Sequence, residues 1–241
     1  MAKIKLIFTP LVTYVHKALV VAGESGVLDQ MTYERVVPFA EDTGIWQFTP
    51  IGKVPAMVMP NGEPLYSGLI MCEYLDSLSK GKRLFPQDET RWRAMRQMAL
   101  GDAVFDATTL LRVKSWHKKE HWDMRYMLRE RQKIMNALDQ LERDAAGWKP
   151  GEFHIGHVCT AGGLSYLDLS CPINSLQLEP GDQDFSWRNG HPRLSAWFDE
   201  VRKRPSMDMV VAHRAIGALN EPTPGTENRA GVAKAQATQT A

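Results

Sequence analysis

The pattern of this chain changes character once, near residue 80, and that change limits the folds open to it. Before it, strand-like and helix-like stretches alternate. Residues 3–8 read as a strand that stops ahead of Pro10, and residues 14–22 place apolar side chains at helical spacing before Gly23. A second strand is expected over 33–37. A turn-rich loop with room for one further helix follows. Residues 56–59 and 63–66 then flank Pro60-Asn61-Gly62, a hairpin signal because Asn-Gly tolerates the positive φ of a tight turn. A helix is expected over 68–79, so the order is β-α-β-(α)-β-β-α. Beyond it the periodicity is helical throughout, with helices expected over 90–117, 122–146, from His154 to Cys171, and after Pro192. The fold class is therefore an α/β domain followed by an all-α domain. The expected divisions are 1–80, a linker at 81–89, a helical domain over 90–217 and a tail over 218–241. The tail is rich in Ala, Thr, Gly, Pro, Asn and Gln and has no apolar period. It cannot bury enough surface to offset its ordering entropy, so disorder is expected there.

Composition removes several function classes. Lys plus Arg number 29 against 28 Asp plus Glu, which lacks the basic excess of a nucleic-acid binder. No apolar run approaches the roughly 18 residues that suggest a membrane span. The first residues lead into a strand pattern without the apolar core of a signal peptide. Cys72, Cys159 and Cys171 are odd in number and widely spaced, which fits a reducing compartment rather than a disulfide framework. A cytoplasmic location, with no nucleic-acid or membrane partner, is expected.

Three ordered segments carry a resemblance: Phe8-Thr9-Pro10-Leu11-Val12-Thr13-Tyr14-Val15-His16-Lys17; Gly52-Lys53-Val54-Pro55-Ala56 with Leu65-Tyr66-Ser67-Gly68 and the helix running to Asp76; and, in the helical half, Ile155-Gly156-His157-Val158, Ser165-Tyr166-Leu167-Asp168 and Trp187 to Pro205-Ser206. Together they cover about residues 3–210 and resemble the glutathione transferase family. The resemblance implies a thioredoxin-like glutathione-binding domain followed by the family's helical domain. It also implies glutathione as cosubstrate, no metal, and a homodimer. The implied activity is addition of the glutathione thiolate to a small electrophile, or its use in reductive or peroxidase chemistry, as in detoxification. The alternative is a family member kept as a binding or structural protein with little or no catalysis.

The resemblance also assigns residues. Val54-Pro55 stands at the family's cis-proline, where the Val54 backbone would pair with the cysteinyl unit of the peptide. Lys53 would meet the glycyl carboxylate. Ser67 and Gly68, at the start of the next helix, would receive the γ-glutamyl end. Two departures stand out. Val12 occupies the place of the thiol-activating Ser, Cys or Tyr, and valine cannot donate a hydrogen bond. Ser67-Gly68 replaces an acid followed by a hydroxyl residue, so the usual partner of the γ-glutamyl ammonium is missing. Thr13, with Thr9 and Tyr14, is then the expected source of a hydroxyl donor to the thiolate, aided by the N–H groups and dipole of a helix start. On the long helix after Thr90, Phe105, Thr109, Arg112 and Trp116 are expected to line the electrophile's site, Arg112 holding an anionic cosubstrate. His117-Lys118-Lys119-Glu120-His121 matches a zinc-protease spacing but reads as a solvated helix end, because no third ligand is in view. His154 is expected at a helix N-cap, Cys72 in a core, and Asp168 as a carboxylate that fixes helix contacts.

Overall fold

The computed structural model describes residues 2–9, 13–38 (residue 13 by its backbone), 40, 43–169 and 171–208. The chain divides into two compact units after Gly81. Positions 209–241, which include the whole expected tail, lie outside the described residues.

The first unit is built on a mixed four-stranded sheet in the order β2-β1-β3-β4. Strand β1 (Ile4–Phe8) is central, with β2 (Met31–Arg35) parallel on one side and β3 (Ala56–Val58) antiparallel on the other. A central strand between covered faces needs apolar side chains on both, and Ile4, Leu6, Ile7 and Phe8 are all buried. Lys5 interrupts the run and reaches Glu34 of β2 at 2.8 Å. Strand β4 (Pro64–Leu65) closes the expected hairpin, whose turn is tied by Gly62 N–H to Met59 O at 2.9 Å, with φ of 89° at Gly62.

Helix α1 (Thr13–Glu24) is buried from Val15 to Ala22, and it packs beside α2 (Gly68–Ser77). Two expectations are corrected. The second strand lies two residues earlier than expected, because its pairing stops where β1 stops: Val36 N–H donates to Phe8 O at 2.8 Å and ends the ladder. Where a further helix had room, the described residues form only a 3-10 turn, Ile45–Gln47, entered through Gly44 at φ 63°.

The second unit is helical, with no strand among the described residues of 82–208. It comprises α3 (Arg91–Lys114), α4 (Met124–Ala145), α5 (Ile155–Leu169), α6 (Pro172–Leu176) and α7 (Pro192–Val201). Helix α5 is its core, buried at every position from Ile155 to Leu164. Glycines let it approach α3 closely: a Cβ on Gly101 would stand 2.4 Å from the carbonyl carbon of Cys159. The expected helix from His154 to Cys171 instead ends at Leu169. Pro172, suited to a first helical turn, opens the short α6.

Candidate functional site

In the first unit the sequence-predicted residues sit on three connections at the end of the sheet and on the helices that follow. Thr9, directly after β1, is half-buried. Pro10, Leu11, Val12 and the side chain of Thr13 lie outside the described residues, so the expected activation by Thr13 is a matter of its backbone position at the start of α1 alone. Tyr14 is half-buried one residue into that helix. The Val54-Pro55 peptide is cis. Pro55 is buried, and Val54 packs against a core cluster of Ile7, Val36, Ile45 and Ala56. Lys53 beside them is exposed.

The start of α2 has an unusual construction. Ser67 precedes it with φ of 73° and ψ of 127°, a left-handed conformation that non-glycine residues rarely hold, and its side chain makes no capping bond. Such strained positions cluster where a backbone must be aimed at a ligand. The first-turn N–H groups and the positive end of the helix dipole begin there, a combination that suits an anion.

Gly68 meets a residue to which the sequence reading gave no role. A Cβ on Gly68 would lie 3.0 Å from Cε and 3.6 Å from Nζ of Lys17, and 3.9 Å from Cδ1 of Tyr14. The Lys17 ammonium also stands 5.4 Å from the centre of the Tyr14 ring. Lys17 is 4% exposed. Tyr14, Lys17 and Gly68 are thus brought together, and the lysine takes the space that a side chain at position 68 would use. The available signal was joint: Lys17 lies three residues beyond Tyr14, on the same helix face, and a glycine stands where a hydroxyl residue was expected.

In the second unit, Phe105, Thr109 and Arg112 share one face of α3, and α5 adds Tyr166, also without an assigned role. Phe105 packs on the Tyr166 ring with centroids 4.9 Å apart. Arg112 Nη1 donates to Tyr166 Oη at 3.2 Å, and the guanidinium lies 5.8 Å from the ring centre. The Thr109 hydroxyl is buried, with no hydrogen-bond partner among the described residues. Trp116, beyond the end of α3, is 46% exposed.

The remaining singled-out residues are structural. Asp168 accepts from Arg188 at 2.6 and 2.9 Å and from Trp187 Nε1 at 2.6 Å. Cys72 is buried. His117, Glu120 and His121 are exposed, and among the described residues no group of three or more His, Cys, Asp or Glu is placed to hold a metal ion. His154 does stand at the N-cap of α5, where its Nδ1 accepts the Gly156 N–H at 3.1 Å. Its ring lies 3.9 Å from that of His157, which is fully buried, has no hydrogen-bond partner on either ring nitrogen among the described residues, and is walled by Trp148, Phe153 and Trp197. Burial pushes both imidazoles below their ordinary value, His154 to about 4. No helix among the described residues is long and apolar enough to cross a membrane.

This architecture, a small mixed sheet followed by a helical unit, is shared with known proteins. A crystal structure of a glutathione transferase family member from Pseudomonas fluorescens Pf-5, with bound glutathione, is 33% identical at a TM-score of 0.75, covering 85% of this chain and 97% of that one. A second structure from the same organism, with bound S-(propanoic acid)-glutathione, is 31% identical at a TM-score of 0.73 over the same shares. Among curated proteins, the Uncharacterized GST-like protein YibF of Escherichia coli (strain K12) is 29% identical over 196 residues, 80% of this chain and 91% of that protein. No protein-family model matches. The chain belongs to the glutathione transferase family.

Proposed function

We propose that the chain is a glutathione transferase that activates the glutathione thiol and joins its sulfur to a small electrophile. The observation that carries this reading is the start of α2, where strained, uncapped Ser67 offers helix N–H groups to a carboxylate. The glutathione bound in a relative one-third identical supports it. The S-substituted peptide bound in the second relative supports sulfur as the atom that acquires the new group. In this reading the γ-glutamyl carboxylate docks at Ser67 and Gly68, the cysteinyl unit pairs with the backbone of Val54 beside Pro55, and Lys53 faces the glycyl carboxylate. Val12 lies beside the thiol without donating to it. Thr13, with Thr9 and Tyr14, stabilises the thiolate. Phe105, Thr109, Arg112 and Trp116 contact the electrophile. No metal takes part, and the protein works as a cytoplasmic homodimer in detoxification.

A specific observation favours a second reading, a binding protein with weak or no catalysis. Lys17 fills the space of the hydroxyl that would receive the γ-glutamyl carboxylate, and no acid stands at position 67 for the ammonium. Calorimetric titration with glutathione separates binding from its absence, and thiolate absorbance of the bound peptide separates the two readings. A transferase lowers the thiol pKa, and Thr13→Val or Thr9→Val raises it again. An unshifted thiol leaves the binding protein. Ser67→Glu, which returns an acid for the ammonium, is expected to tighten glutathione by about ten- to a hundredfold, the worth of a charge-assisted hydrogen bond. Unchanged affinity would mean that the peptide docks elsewhere.

A further inference from the structure

The connection between α3 and α4 gathers positive charge that the rest of the chain lacks. Residues 114–129 hold five Lys or Arg and two Asp or Glu, a net of +3 against +1 for the whole chain, so the remainder is net negative. Lys118, Lys119, Arg125 and Arg129 are exposed. The two acids are turned to local tasks: Asp123 caps α4 by accepting the Tyr126 N–H at 3.0 Å, and Glu120 stands 3.7 Å from His121. Among the described residues no carboxylate forms an ion pair with Lys118, Arg125 or Arg129. Local electrostatics also oppose two of these cations. Arg125 lies in the first turn of α4, where the helix dipole favours acids and none is present, and it repels Arg129 at i,i+4 spacing. A cluster kept in this form is suited to negative charge brought from outside.

Aromatic and thioether side chains are interleaved with the cations. Trp116, offered above to the electrophile, is 46% exposed, and Met124 is 40% exposed. Trp122 lies between them in sequence. Its Nε1 donates to His117 O at 2.9 Å, and the Lys119 ammonium stands 6.0 Å from its ring centre. The Lys114 ammonium is 5.9 Å from the centre of the Tyr126 ring. Trp and Tyr settle at the headgroup level of a bilayer, while the stems of Lys and Arg lie along apolar surface and their charges meet phosphates. An acidic protein segment would use the cations but not the rings, so the interleaving favours lipid. Composition argues against a spanning segment but does not bear on a surface contact.

We propose that the α3–α4 connection docks on an anionic phospholipid surface, with Lys118, Lys119, Arg125 and Arg129 at the phosphates and Trp116, Trp122 and Met124 at the boundary between headgroups and acyl chains. The contact is peripheral, and salt screens it. Each Lys or Arg held near such a surface strengthens binding about fivefold. The inference does not depend on the transferase reading.

The test sediments the full chain with vesicles of phosphatidylcholine alone and of equal parts phosphatidylcholine and phosphatidylglycerol. The wild type is expected to bind the mixed vesicles at low salt, about a hundredfold more tightly than the neutral ones, and to leave them at high salt. Lys118→Glu with Arg125→Glu is expected to weaken that binding about twenty-fivefold or more, and the milder pair Lys118→Gln with Arg125→Gln to weaken it in the same direction. Lys82→Glu with Lys149→Glu makes the same change in net charge. Lys149 follows the other end of α4, ~33 Å along the helix, so this pair should weaken binding less than about threefold. Brominated acyl chains should quench the tryptophan emission of the wild type, and less so that of Trp116→Phe. Equal binding to the two vesicles by the wild type, or equal losses in the two charge-reversed pairs, overturns the proposal. Charge-dependent binding without quenching also overturns it, because the rings then stay out of the lipid and an acidic protein partner fits the cations better.

Discussion

Helix α2 starts behind Ser67, whose side chain makes no capping bond, whereas α5 starts behind His154, whose ring nitrogen takes up the Gly156 N–H. The α5 start is closed further by Ile155 N–H, which donates to Leu84 O at 2.9 Å, and by the rings packed around His157. Both helices have a glycine in their first turn, Gly68 and Gly156, but these face different surroundings. A Cβ at 68 would meet the end of a lysine side chain, while one at 156 would meet the α3 backbone. A helix start satisfied from within serves as structure. One whose N-cap side chain makes no bond, behind a strained approach, has the form that suits a ligand.

The largest expected effect is on the closed start. His154 and His157 are neutral in the fold, chiefly because burial disfavours their charged forms, with Arg93 and Lys82 adding repulsion and Glu152 opposing it at His154. In the unfolded chain both titrate near the ordinary 6.5. Above that pH the two states bind equal numbers of protons at these sites. Below it the unfolded state binds more, so stability falls as pH drops from 6.5 toward the folded value of about 4 for His154, and lower still for His157. The slope is about 1.4 kcal/mol per pH unit for each ring, or about 4 kcal/mol for the pair by pH 5. Urea midpoints at pH 7.5 and 5 measure it, and His157→Phe, which keeps a ring and removes a titration, should halve the loss. An equal loss in wild type and variant would place the acid sensitivity elsewhere.

What could be read from the sequence differs between the two starts for the same physical reason. The His154 cap was legible because it depends on position relative to a helix that announces itself by periodicity. The hairpin was legible from Asn61-Gly62, and the central strand from Ile4 to Phe8. At α2, the sequence exposed what was missing, an acid at 67 and a side chain at 68. It did not reveal that Lys17, on another helix, fills the space at 68. Arg112 was named from its place on α3, but its dependence on Tyr166, 54 residues away, is tertiary and leaves no periodic trace. Helix α6, five residues long, is too short for any period to register.

Next in size is Gly156→Ala. The added Cβ would stand 2.7 Å from Ala94 O, 2.8 Å from Gln97 Cβ and 2.9 Å from His154 Cε1. Two of the three are fixed points of α3, and the third is the capping ring. Overpacking of this kind costs about 2–3 kcal/mol, more than the helix gains from losing a glycine. The expected result is a lower unfolding midpoint with glutathione affinity unaltered in the material that remains folded. A neutral substitution would mean that α5 can slide on α3, and the start of α5 would then be less fixed than its cap implies.

The smallest expected effect is Gly68→Ala, and it bears most directly on the contrast. The nearest atom to the added Cβ is Lys17 Cε at 3.0 Å, one bond from the end of a flexible side chain, with Tyr14 Cδ1 at an ordinary 3.9 Å. A shift of a few tenths of an ångström in Lys17 relieves the contact, and the loss of glycine entropy in the unfolded chain returns up to about 0.5–1 kcal/mol. The net change in stability should stay within about 0.5 kcal/mol of zero. Lys17 is 4% exposed, which limits where its ammonium can go, and this makes the substitution a test of the contrast. If Lys17 yields, Gly68→Ala is neutral in denaturation and Gly68→Ser, with its hydroxyl beside the α2 donors, tightens glutathione severalfold. If Gly68→Ala instead costs as much as Gly156→Ala, Lys17 is pinned as firmly as a backbone. The start of α2 would then be closed as well, by a buried cation rather than a histidine, and the docking of a zwitterionic γ-glutamyl group there would lose its physical basis.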